Sequence, residues 1–291
     1  MKPHHSDIYN SDHNGYSTHP FILGKAFDKT WFGVFINNAA AQDWYIKNNK
    51  TSGDVDVKVL STGGIGDMYF FTGSNPNNVT KAYHKIIGYP VVTPQWALGW
   101  HQSQWGYEST KAIKKVADGY FEHNLPLETL WADIDYMKDY KDFTVDQATF
   151  GDLGQYLSDL KKSNHIKFIP IVDAGIAQRQ ESIDNYTTYT EGVNQDVFIK
   201  SGASNWYKYP VRQFTGQVWA GDAAFVDFTA VNATGFWMDQ LTDLDTNLTY
   251  SVDGVWLNSN EATNMQCNGV CYTDQKVESP LQWKLPYIPT G

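Results

Sequence analysis

Polar side chains in this chain collect at the ends of short apolar runs, and their types are those of acid–base and hydrogen-bonding chemistry. His101 and Gln102 end Ala97–Gln102. Asp133 and Asp135 end a strand expected over Leu127–Ile134, and Asp173 follows Ile166–Val172. The stretch Asp253–Glu261 has a turn signal, the apolar run Gly254–Leu257, and then Asn258, Asn260 and Glu261. Side chains of this kind at a strand's carboxyl end have little packing reason to be there. Carboxylates can accept charge-assisted hydrogen bonds, and a pair of them can divide the work of nucleophile and general acid.

These ends need elements to position them. Between the runs lie segments with helical period. One is Thr110–His123, with Ile113, Val116, Ala117, Tyr120 and Phe121 on one face and Ser109 or Thr110 as cap. The others are Asp152–Asn164, with Leu153, Tyr156, Leu157 and Leu160, and Ala230–Asp245, with Phe236, Trp237, Leu241 and Leu244. Strand, helix, strand, helix, strand, insertion, helix, strand is a parallel βα array. Barrel closure brings all the strand ends to one face. A doubly wound sheet brings them to one edge, but it usually carries a glycine-rich turn after its first strand, and Gln102-Ser103-Gln104-Trp105 is not one. Four such strands are half of a closed barrel, so either the chain is truncated or the array is open.

Upstream of this array the period is two. Thr30–Asn37 and Asp54–Leu60 read as strands, with Gly63-Gly64 and Gly73-Ser74-Asn75-Pro76 as turns, and Val79–Gly88 as a helix. The expected division is 1–85 as part of an N-terminal β-sandwich and 86–291 as the truncated barrel, with a long irregular insertion at about 178–228.

The 291 residues, 42% apolar and 19% charged, suffice for one large domain or one with a smaller companion. A formal charge of −10 without Lys/Arg clusters argues against nucleic acid. No window is long and apolar enough to span a membrane, and Met1–His5 does not open a signal peptide. Five Asn-X-Ser/Thr sequons, at Asn49, Asn78, Asn185, Asn232 and Asn247, hint at a secretory route. Cys267 and Cys271 form a local disulfide or a free pair. With no Cys/His cluster nearby, neither zinc nor any other cofactor is expected. The 11 Trp, 18 Tyr and 15 Phe are mostly core, and are also compatible with a ligand whose apolar face stacks on rings, as a sugar's does.

Ordered matches then carry a family resemblance. They are His19-Pro20-Phe21, Gly33-Val34-Phe35-Ile36-Asn37-Asn38, Pro94-Gln95-Trp96-Ala97-Leu98-Gly99-Trp100-His101-Gln102 and Trp131-Ala132-Asp133-Ile134-Asp135-Tyr136-Met137 with Asp142-Phe143-Thr144. Ile169-Pro170-Ile171-Val172-Asp173, Val218-Trp219, Asp227-Phe228, Asp253-Gly254-Val255-Trp256 and Asn260-Glu261 complete the series. The chain resembles the α-glucosidases of glycoside hydrolase family thirty-one. The resemblance implies a β-sandwich leading into a (β/α)8 barrel, of which about four βα units are present here. It implies retaining cleavage of a terminal α-linked glucose, so the expected partner is an α-glucoside or oligosaccharide, in a secreted, lysosomal or vacuolar setting. By the same resemblance Asp135 holds hydroxyls of the terminal sugar, Asp43 is offered from a loop of the β-domain, and Asp173, Trp219 and Trp256 line the pocket. Glu261 is a supporting partner and Asp133 a structural carboxylate.

The chain departs from the family where the chemistry is most demanding. The nucleophile's position is Asn258, followed by Ser259 instead of Met. An amide cannot form the usual glycosyl-ester intermediate. The family's acid/base lies in later barrel loops, expected beyond Gly291. Ala174, Ala220 and Val226 stand where Pro is usual, and Gln104 where Arg is common. The expectation is therefore an α-glucosidase-type chain that does not turn over, or a relative that binds sugar without cutting it. The sequence carries no signal of oligomeric state.

Overall fold

A computed structural model describes residues 19–40, 42–49, 51–61, 63–178, 186–200, 213–258, 260 and 262, with Asp43 described by its backbone. The described residues divide at Val92/Thr93 into two compact units, a few residues beyond the expected boundary.

The first unit holds β1 (Phe21–Lys25), β2 (Trp31–Ile36), β3 (Gln42–Asn48), β4 (Val55–Ser61), β5 (Met68–Gly73) and α1 (Pro76–Ile87). β1, β2 and β5 form an antiparallel sheet, and β3 and β4 a two-stranded hairpin. One sheet face packs on α1. Phe21 and Phe35 meet Tyr83 at ring distances of 4.2 and 5.1 Å. Gly33 lets the helix come close, since a Cβ there would lie 2.7 Å from Val79 Cγ1. Asn75 starts α1 by accepting from the Asn78 amide at 3.0 Å.

The second unit is the βα array. Its elements in chain order are β6 (His101–Gln102), α2 (Thr110–Glu122), β7 (Thr129–Ala132), α3 (Gln147–Phe150), α4 (Leu153–Asn164), β8 (Lys167–Asp173), β9 (Gly175–Ala177), α5 (Thr188–Asn194), β10 (Thr215–Val218), β11 (Gly221–Phe225), α6 (Ala233–Leu248) and β12 (Trp256–Asn258). The sheet runs β12-β8-β7-β6 with every pairing parallel. It is the half-barrel the period implied. β8 is buried along nearly its whole length, as a strand covered on both faces should be. Ile113 and Ala117 of α2, Leu153 and Leu157 of α4, and Phe236 and Leu244 of α6 pack into one core. Gly154 allows α4 to press against the end of α6, where no Cβ would fit beside the Leu248 carbonyl.

Three expectations change in detail. Ala97–Trp100 is not strand: Gln95–Leu98 forms a 3-10 turn after Pro94, and β6 is two residues long. Pro94 favours that turn, and the Trp100 carbonyl accepts from Glu128 and Thr129 instead of continuing a ladder. β7 stops at Ala132 because Asp133 accepts from the Ile134 amide at 2.7 Å and caps a turn over Ile134–Tyr136. The insertion is not irregular throughout. β9, β11 and β10 make an antiparallel sheet in that order, built around Ala177, Ala223 and Ala224, which are fully buried. Such small residues have low strand propensity, so packing decided the structure there.

At the amino-terminal end of the parallel strands, Asp253 acts as a clasp. It accepts from Lys161 Nζ (2.9 Å), Lys167 Nζ (3.3 Å), the Phe168 amide (3.1 Å) and the Tyr250 hydroxyl (2.7 Å). Burial alone would raise the pKa of Asp253, but the bonds from Lys161, Tyr250 and Phe168 outweigh that and lower it.

Candidate functional site

The carboxyl ends of β7, β8 and β12 bring the polar residues together. β12 pairs with β8 so that Asn258 stands opposite Asp173. Asn258 Nδ2 donates to Asp173 Oδ1 at 3.0 Å. Asp173 is 5% exposed, and burial pushes its carboxyl up to about 6. The bond from Asn258 pulls the other way, and the charge of Asp133 adds to the rise. Asp133 is half-buried and itself raised, first by burial and then by Asp135, against the effect of the Ile134 amide. Asp135 sits in the turn after β7, and its Oδ2 accepts from the Gly106 amide at 2.8 Å. Among the described residues, no lysine or arginine forms an ion pair with Asp133, Asp135, Asp142 or Asp173.

Asp142 joins this cluster, although its sequence context suggests no role for it. It is 2% exposed, and its Oδ1 accepts from the Asp173 amide at 2.7 Å. Burial raises its pKa well above the ordinary value, and the Asp173 charge adds to this. Nothing in the spacing of Asp142 marks it as buried, because a lone Asp before Phe-Thr is usually solvated.

The same unit carries several indoles. Trp256 meets Trp131 edge-on at 5.6 Å, and Trp131 Nε1 donates to His101 Nδ1 at 2.9 Å. Trp219 is at the tip of the β10–β11 hairpin, 47% exposed, with its ring 6.2 Å from that of Trp105, which is 62% exposed. Sequence reasoning missed Trp105. Its signal was a Trp-Gly pair in the loop between a strand end and a helix, where a large exposed ring has no packing role. Gln102, expected among the polar strand ends, bonds Tyr107 at 2.8 Å and accepts from Tyr120 of α2, so it anchors the loop carrying Trp105 and Gly106.

Asp43, in the first unit, lies in β3 opposite Leu60 and not in a loop, because Gln42–Asn48 pairs along its whole length with β4. Glu261 lies outside the described residues, as do Cys267 and Cys271. Among the described residues no group of His, Cys, Asp or Glu is arranged to hold a metal ion, and no helix is long and apolar enough to cross a membrane.

A parallel half-barrel with acids at the carboxyl ends of its strands is part of the TIM-barrel architecture. The profile of the "Glycosyl hydrolases family 31 TIM-barrel domain" matches residues 90–284, and the chain belongs to that family. It is 32% identical over 276 residues to glucoamylase 1 of Candida albicans, covering 93% of this chain and 27% of that protein. It is 31% identical over 277 residues to the lysosomal alpha-glucosidase of Rattus norvegicus, covering 95% and 27%. In structure it resembles a glucosidase II alpha subunit, with a TM-score of 0.71 at 22% identity, over 83% of this chain and 26% of the other. The chain thus spans about a quarter of the length of these relatives.

Proposed function

We propose that this chain holds the terminal sugar of an α-glucoside in the manner of an α-glucosidase, and does so without cleaving it. The observation that carries this reading is the pair at the ends of β8 and β12. By the family resemblance Asn258 stands where the nucleophile is expected, and its amide donates to Asp173. A carboxylate there could not donate that bond, so this end is built around an amide. Asp135 and Asp173 supply acceptors for sugar hydroxyls, and Trp105, Trp219 and Trp256 supply faces for the ring. Retaining cleavage needs two carboxyl groups about 5–5.5 Å apart, and the attacking one is replaced here.

The test is calorimetric titration with maltose beside an assay of glucose release from maltose and p-nitrophenyl α-glucoside. Binding that weakens on Asp135→Ala, with no release, supports the reading. Release that an α-glucosidase inhibitor abolishes, in material free of host glucosidase, contradicts it.

We also propose a lysosomal or secreted setting. The rat relative is named lysosomal, and Asn49 offers an accessible acceptor for an N-linked glycan. Asn49 is exposed at the tip of the β3–β4 hairpin, and its Oδ1 accepts from the amides of Thr51 and Ser52 at 3.0 and 3.3 Å. In Asn232 and Asn247 the amide nitrogen instead donates to the carbonyls of Gln195 and Phe143. Expression through a secretory route with a glycosidase mobility shift, lost in Asn49→Gln, checks this.

A further inference from the structure

We propose that Asp142 is the positioning residue of this pocket, acting as an uncharged acceptor that replaces a missing strand beside the end of β8. The inference rests on the sugar-holding reading above and adds to it a residue that touches no sugar.

The pairing of β7 with β8 ends at Ala132 opposite Pro170. Beyond that point the side of β8 facing β7 has no strand, yet Ile171–Asp173 is buried there. Residues two apart in a strand turn their amides and carbonyls to the same side. On that side the Ile171 carbonyl accepts from the Tyr136 hydroxyl at 2.8 Å, and the Asp173 amide donates to Asp142 Oδ1 at 2.7 Å. The Asp146 amide donates to the Tyr136 carbonyl at 2.8 Å, which closes the loop carrying both groups. Two side chains thus continue the ladder that the backbone of β7 abandons. On the other side β12 continues as far as Asn258. Asp173 is therefore fixed from both sides, and the fixed carboxylate in turn orients the Asn258 amide.

The groups facing Asp142 leave it no reason to be charged. From β8 it faces Asp173, and from its own loop Tyr136. The neighbouring Lys141 Nζ is paired with Asp139 at 3.2 Å. Asp133 and Asn258 face Asp173. When two buried acids sit side by side, one keeps its proton. Each has a donor, but Asp142 is the more deeply buried and the more strongly raised, so Asp173 ionises first and Asp142 stays neutral. An amide at 142 would then do the same work, whereas an amide at 173 would not.

The experiment compares Asp142→Asn, Asp142→Ala and the unaltered chain, using maltose affinity and, without sugar, the hydrogen exchange of the Asp173 amide and the NMR titration of its carboxyl. We expect Asp142→Asn to bind within about threefold of the parent and to keep the Asp173 midpoint near 6. We expect Asp142→Ala to bind about tenfold more weakly, with faster exchange at Asp173, from loss of one buried hydrogen bond. The proposal is overturned if Asp142→Asn impairs binding as much as Asp142→Ala, or if the Asp173 amide exchanges no faster once the acceptor is gone. Should Asp142→Ala not fold, the affinity and the Asp173 titration of Asp142→Asn decide alone. Exchange and titration need no ligand, so they still judge the proposal if the parent binds no sugar.

Discussion

β8 has a carboxylate at each end, and the protein treats the two in opposite ways. At the start Asp253 meets two ammonium groups, a phenol and a backbone amide. At the finish Asp173 meets one carboxamide and other acids. A compensated carboxylate holds a fold together, while an uncompensated buried one destabilises it and is retained where a ligand can use it. In βα architectures the amino-terminal ends are the stabilising face and the carboxyl ends the chemical one. Here that division can be read from hydrogen bonds alone.

The largest way to break the contrast is Asp253→Ala. It removes four bonds, two of them to ammonium groups, and we expect a loss of about 3 kcal/mol or more in urea unfolding. Sugar affinity should be nearly untouched wherever the chain remains folded. Next is Asn258→Asp, which replaces a donor to Asp173 with a like charge. We expect about 2 kcal/mol less stability at pH 8, recovering near pH 5 as the pair takes up a proton.

The two ends should also respond to pH with opposite sign. The Asp173 carboxyl is raised in the folded state, to about 6. Its folded form holds the proton more tightly, so stability falls as pH rises from about 4 to about 6, by on the order of 2–3 kcal/mol. Asp253 is depressed, so its contribution is present above about pH 4 and is lost as pH falls through its folded value. Asp173→Asn should therefore gain about 1–2 kcal/mol at pH 7, flatten the slope between pH 4 and 6, and lose sugar binding. Denaturant midpoints across that range check the first two. The smallest effect is at Trp105. Trp105→Ala should weaken maltose binding by about 1 kcal/mol and leave the melting temperature nearly unchanged, because the ring is 62% exposed.

The contrast also separates what the sequence could show from what it could not. Strand ends and helix faces were legible because burial imposes period: Ile113 with Ala117, and Leu153 with Leu157, are spaced for one face and lie in one core. That Asn258 and Asp173 end strands was legible, but that they stand opposite each other was not, since strand ends alone set no register. The clasp at Asp253 was not legible, since Lys161, Lys167 and Tyr250 reach it from separate elements. Asp142 was hidden for the same reason, being 31 residues from the amide it holds. The β9–β11–β10 sheet was hidden because its alanines and glycines pack well while having little preference for strand.

NMR titration of the Asp173 carboxyl with and without maltose tests most directly whether this buried acid, which no cation compensates among the described residues, is kept for a sugar. A midpoint near 6 is expected in the free protein and a lower one with maltose, because hydroxyls that donate to the carboxylate favour its charged form. A midpoint near 4, or one that maltose leaves unmoved at saturation, contradicts it.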